Sequence, residues 1–127
     1  MKQTSRRVPE KVEQAHGVQL LRTLGATVYI LGHPSPNDGR RHRGTGQTPG
    51  LPDVYCFLPF HQRCARLALW WEVKAAGGRL RPEQATFRTL CQEAQVAHVV
   101  GPFDALIDWL LVHGHLVAGQ VPHYRRG

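Results

Sequence analysis

Between Pro9 and Leu24 the apolar residues Val12, Ala15, Val18, Leu20, Leu21 and Leu24 recur at helical intervals. Pro9 suits the first helical position and Gly25 the stop. These side chains spread around the axis rather than forming one stripe, which predicts burial on several sides. Ala26 to Leu31 (ATVYIL) reads as a first strand. Gly32 to Gly50 then holds five glycines, three prolines and three arginines but no apolar side chain. Such a segment adds nothing to a core and predicts a loop of unusual length.

Two β-prone runs follow, Pro52 to Leu58 (PDVYCFL) and Leu67 to Val73 (LALWWEV), and the polar segment between them suggests a hairpin. Pro82 opens a second helix whose Phe87, Leu90, Cys91 and Ala94 fall at i, i+3, i+4 and i+7. Ala97 to Val100 reads as a short strand. Asp104 to Val112 reads as a last helix burying Leu106, Trp109 and Leu110. The order αβββαβα predicts an α/β domain, a mixed sheet flanked by helices. One domain is expected over 1–127, with its core over about 9–112, a basic loop at 32–50 and a flexible tail at 118–127.

Charge adds a partner class. Sixteen Lys and Arg against nine Asp and Glu leave a formal charge of +7, which suits a polyanionic partner such as nucleic acid and, equally, a merely soluble basic protein. No stretch approaches the roughly 18 apolar residues that cross a bilayer, and no apolar run follows Met1 to Arg7 as in a signal peptide. Cys56, Cys64 and Cys91 form an odd set without a CxxC pair, which suits a reducing compartment. A cytoplasmic protein of a bacterial or phage-infected cell is the expectation.

Two carboxylates stand where a core strand should not tolerate charge. Asp53 opens one apolar strand and Glu72 interrupts LALWW before Val73. A buried carboxylate is costly unless it is paired or holds a metal. Strand residues two apart share a face, so Glu72 and Lys74 point the same way. If the two strands pair, Asp53 can lie beside them. Two carboxylates and a lysine suit Mg2+ or Mn2+ held against a phosphodiester. A lone D…ExK pattern is more often a surface pair and an unrelated turn.

The pattern here is longer. GLPDVYCF, WWEVKAAGGRLRPEQATF and LCQEAQVAHVVGPFDALIDWL resemble, in this order, the VRR-NUC family of the PD-(D/E)xK nuclease superfamily, in its stand-alone, virus-type form. The resemblance runs from about Pro9 to Leu111. It implies a restriction-endonuclease-like fold and a metal-dependent DNA endonuclease acting as a dimer on branched DNA, with four-way (Holliday) junctions the first substrate to expect. Asp53 would be the metal-binding aspartate, Glu72 the second carboxylate and Lys74 the catalytic lysine, while Val73 would lend its backbone carbonyl to the metal. Gln84 would match the glutamine near the active site. Glu10 best matches the glutamate of the first helix, with Glu13 the alternative, and Gln14 would share the face of Glu10. The chain departs from the family where Ile30 and Leu31 replace an Arg or Asn after the first strand.

Basic residues at the mouth of such a site would hold phosphates: Arg40, Arg41 and Arg43 in the Gly-rich loop, Arg79 and Arg81 before the second helix. The histidines and cysteines match no tight zinc spacing, so no zinc is expected. Trp70 and Trp71 read as core and face-packing aromatics rather than base-stacking platforms. Leu111, Val112, Leu116 and Val117 are equally suited to a dimer interface and to packing of the last helix. Other functions open at this point are a catalytically idle DNA-binding module and a non-specific nickase or RNA-directed nuclease.

Overall fold

The structure is a computed structural model that describes residues 8–31, 49–60 and 67–122. In chain order these form α1 (Glu10–Thr23), β1 (Thr27–Ile30), β2 (Val54–Phe57), β3 (Ala68–Val73), α2 (Pro82–Ala94), β4 (His98–Gly101) and α3 (Phe103–Val112), followed by a 3-10 turn at Ala118–Gln120. The strands make one mixed α/β sheet in the order β1-β2-β3-β4. β1/β2 and β2/β3 are antiparallel, whereas β3/β4 is parallel, with α2 as the crossover. The expected element order and the β2–β3 hairpin pairing both hold.

Alternation sorts the sheet into two faces. Val54, Cys56, Leu69, Trp71 and Val73 are buried on one, where α1 and α3 cover them. Asp53, Tyr55 and Phe57 of the β2 segment and Trp70, Glu72 and Lys74 of the β3 segment take the other, because the register sets Tyr55 opposite Trp70. On that face α2 packs toward β3 and β4, with Phe87 meeting both Trp70 and His98.

Several burial expectations change. Pro9 is the N-cap of α1 rather than its first residue. The helix buries one side only, Gly17, Val18, Leu20 and Leu21, while Val12 and Ala15 are exposed. A helix laid on one sheet face has solvent on its outer side, so scattered apolar positions do not mean burial all round. Gly17 is required there, since a Cβ would overlap the Trp71 indole. That indole is fully buried, and its Nε1–H donates to Gly101 O at 3.0 Å.

α2 is the least buried helix. Of its expected stripe only Cys91 is buried, Phe87 is half-buried, and Leu90 and Ala94 are exposed. In α3, Leu106 and Leu110 are buried as expected, together with Phe103 and Ile107. Trp109 is only half-buried and stacks on His113 and His115 at 4.2 and 5.6 Å.

The core also runs past residue 112. Leu116 is 1 % exposed, and Leu111 and Val121 pack against the core, so the first part of the expected 118–127 tail, with its 3-10 turn at Ala118–Gln120, is folded, while residues 123–127 lie outside the described residues. Two of the four apolar residues considered for a dimer interface therefore serve the core, and Val112 and Val117 are the exposed pair. Burial pushes the Cys56 thiol up to about 12 and also raises that of Cys91, which suits small inert core residues. Cys64 lies outside the described residues. Among the described residues no helix is long and apolar enough to cross a membrane.

Candidate active site

β3 carries the site because it pairs on both sides and ends at Val73, just where β2 begins. One step beyond the registered pair Val54–Trp71, Asp53 comes opposite Glu72. The Val73 N–H donates to Asp53 Oδ2 at 2.9 Å, which turns that carboxylate toward β3. In an extended strand the N–H and C=O of one residue face the same neighbour, so the Val73 carbonyl is also turned toward Asp53. Lys74 leaves the strand on the other side, its N–H donating to Gly101 O at 3.2 Å.

Glu72 is 4 % exposed. Its Oε2 accepts from Gln84 Nε2 at 3.0 Å and lies 4.0 Å from Lys74 Nζ. Its Oε1 is buried and has no hydrogen-bond partner among the described residues. Burial first, then the charge and hydrogen bonding of Asp53, raise the Glu72 carboxyl to about 8; Lys74 opposes the rise and Glu10 adds to it. Two carboxylates that face each other, one buried and one half-buried, cannot both ionise cheaply without a proton or a cation between them.

Gln84 is itself 4 % exposed. It occupies the third position of α2, where its Oε1 accepts from the Arg81 N–H at 2.8 Å. One amide thus caps the helix and holds Glu72. Gly50 permits this closeness: its φ is +94°, and a Cβ there would stand 2.6 Å from Glu83 O. The turn before Leu51-Pro52-Asp53 therefore lies directly against the first turn of α2.

The first-helix glutamates separate cleanly. Glu10 Oε2 accepts from the Ala75 N–H at 3.3 Å, at the end of the Glu72–Lys74 segment. Glu13 Oε1 accepts from the Phe103 N–H at 3.0 Å, at the start of α3. Glu10 bonds the end of the strand segment that carries Glu72 and adds its negative charge to that carboxyl's surroundings, whereas Glu13 serves as a helix cap. Gln14 faces a groove of about 600 Å³ between α1 and β1, lined also by Lys11 and Arg22.

Arg79 and Arg81 are exposed before α2. Arg81 lies 3.9 Å from Glu83 in an open pair that water largely screens. Arg40, Arg41 and Arg43 lie outside the described residues. Ile30 is half-exposed, and the Leu31 N–H donates to Asp53 O at 2.7 Å. The first strand thus supports the site through its backbone.

The donor set suits a hard divalent cation. Mg2+ commonly takes one or two carboxylates with other oxygens and keeps several waters, and a buried carboxylate oxygen lacking a donor is the atom such an ion would satisfy. Among the described residues no cluster of three or more His, Cys, Asp or Glu is placed to hold a metal, so any ion here would rest on two carboxylates and a carbonyl. Sequence reasoning missed Glu13 as a cap, although its place one turn into α1 and three residues after Glu10 was visible. It also missed the outward aromatics Tyr29, Tyr55 and Phe57, which the strand alternation marks. No protein-family profile, curated protein or solved structure matches the chain.

Proposed function

We propose that this protein is a divalent-metal-dependent endonuclease of restriction-endonuclease-like fold that hydrolyses DNA phosphodiesters, with four-way junctions as its substrate. The observation that carries the reading is the facing of Asp53 and Glu72 beside Lys74, with Glu72 Oε1 buried and without a hydrogen-bond partner among the described residues. Buried side-chain oxygens in ordinary structural ion pairs are mostly hydrogen-bonded.

Asp53, Glu72 and the Val73 carbonyl would hold the ion. When bound, Mg2+ or Mn2+ offsets charge on the phosphate and eases deprotonation of the attacking water. The Lys74 ammonium orients that water and stabilises the negative charge that grows on the phosphoryl oxygens as the water oxygen adds to phosphorus. The attacking water gives its proton to solvent, the P–O ester bond breaks, and the leaving alkoxide takes up a proton from a solvent molecule. Gln84 keeps Glu72 oriented. Glu10 fixes the strand end through Ala75 and adds negative charge that favours a cation. Arg79 and Arg81, together with Arg40, Arg41 and Arg43, would grip phosphates.

Cutting two strands of a junction requires two sites, which a symmetric dimer supplies; the exposed Val112 and Val117 are the remaining apolar candidates for its contact. The test is a cleavage panel with Mg2+ on end-labelled four-way junction, flap, linear duplex and RNA, read beside the light-scattering mass. Paired cuts in the junction at twice 14.3 kDa are expected. Equal cutting of linear duplex by a monomer would favour a general nickase, and binding without cutting an idle DNA-binding module.

A further inference from the structure

Resting on that nuclease reading, we propose that the sheet face beside the carboxylates stacks unpaired DNA bases, through Phe57, Tyr29 and Tyr55. These rings lie on the same side of the sheet as Asp53, Glu72 and Lys74, whereas Val54 and Cys56 of the same strand are fully buried on the other. They form a continuous row: Tyr29 meets Phe57 at 6.2 Å and 90°, Tyr55 meets Phe57 at 5.1 Å and 79°, and Tyr55 lies 4.3 Å from Trp70.

Exposure grows along the row away from α2. Trp70 is partly covered by Phe87, while Phe57 and Tyr29 are 48 % and 50 % exposed. Outward positions of an antiparallel pair facing water are usually polar. A contiguous row of aromatic rings in that place signals a binding surface more than isolated exposed residues do.

The occupant follows from place and charge. A strand bound with one phosphate at Asp53 and Glu72 must carry its neighbouring nucleotides across an adjacent surface. Along β2, Tyr55 stands about 7 Å and Phe57 about 13 Å from Asp53 at ordinary strand rise. Those spans suit the first and second nucleotides beside the cut. The net charge of +7 is compatible with a polyanion, and aromatic rings on an open sheet are a general means of stacking splayed bases of any sequence. Paired bases offer no free face to these rings, so the surface selects strands that are open beside the cut.

The test compares the full chain with Tyr29→Leu/Phe57→Leu, which keeps apolar bulk and removes the rings, and with Phe57→Trp, which restores one. Affinity is measured in Ca2+ by anisotropy for a fully paired duplex and for a fork with an unpaired thymidine arm. Quenching of 2-aminopurine placed beside the fork reports stacking directly. The double variant should bind the fork about tenfold or more weakly, lose the quenching and hold duplex within about twofold, while Phe57→Trp keeps both fork signals. Unchanged fork affinity and quenching would overturn the proposal, as would loss of self-association without any change in DNA binding. Cleavage with Mg2+ on the same samples separates the two claims. A wild-type protein that cuts nothing yet shows ring-dependent fork binding would refute the nuclease and keep the stacking surface. Normal cutting with ring-independent binding would do the reverse. If the double variant melts below wild type, Phe57→Leu alone is read with the same criteria.

Discussion

The Val73 N–H donates to Asp53 Oδ2 at 2.9 Å, so one carboxylate is aimed by the backbone of the strand that carries the other. Asp53→Asn preserves an acceptor for that N–H and removes only the charge. It should fold with a melting temperature near wild type and cut DNA at least about a hundredfold more slowly. Asp53→Ala also strands the N–H and should cost about 1 kcal/mol more in a denaturant titration. Comparable cutting by wild type and Asp53→Asn would remove Asp53 from the chemistry.

Glu72 predicts an unusual pH profile for the metal-free protein. In the folded state its carboxyl is raised from 4.5 to about 8, chiefly by burial and then by Asp53, so the folded chain holds a proton that the unfolded chain releases near 4.5. That contribution to stability is complete below about 4.5 and is lost as pH rises through about 8. Thermal melts in chelator should therefore show this contribution falling between pH 5 and pH 9. Glu72→Gln should flatten the fall, and added Ca2+ should offset it at pH 8 by binding only the folded state. A Glu72→Gln profile parallel to wild type would show that Glu72 titrates normally.

The two glutamates of α1 should separate by assay. Glu13→Gln weakens the acceptor for Phe103 N–H at the start of α3, and should cost about 1 kcal/mol in stability while cutting proceeds. Glu10→Gln should melt close to wild type and cut more slowly, because it lowers the negative charge around Glu72. The opposite pattern would exchange their roles.

Sequence pattern made the carboxylate pair legible for a simple reason. Period-two alternation and a hairpin put Asp53, Glu72 and Lys74 on one face whatever the details of packing, and the register confirms that face. The helices were legible in extent more than in orientation. Periodicity marks an apolar side but not how much surface waits to cover it, so Leu90 was expected inside and is 57 % exposed. Gln84 was placed at the site by resemblance alone, since nothing in EQATF says that a polar residue will be buried. Leu116 lies beyond the last periodic helix, and only the folded return of the chain after His113 carries it into the core.

Arg79 and Arg81 stand exposed beside the first turn of α2, and each should bind one phosphate. Replacing both with Ala should reduce the slope of log K against log salt by about 1.8 on duplex DNA. An unchanged slope would make them solvent-facing charges without contact to DNA.

In the function proposed above, the Asp53–Glu72 pair works through a divalent cation. Single-turnover cleavage of an end-labelled four-way junction tests this, using protein stripped with chelator, before and after excess Mg2+ or Mn2+, with Asp53→Asn alongside. The wild type should not cut in chelator and should recover fully with either metal, while Asp53→Asn cuts at least about a hundredfold less under the same conditions. Cutting that persists in excess chelator, or equal recovery by wild type and Asp53→Asn, would rule out a metal held by this pair.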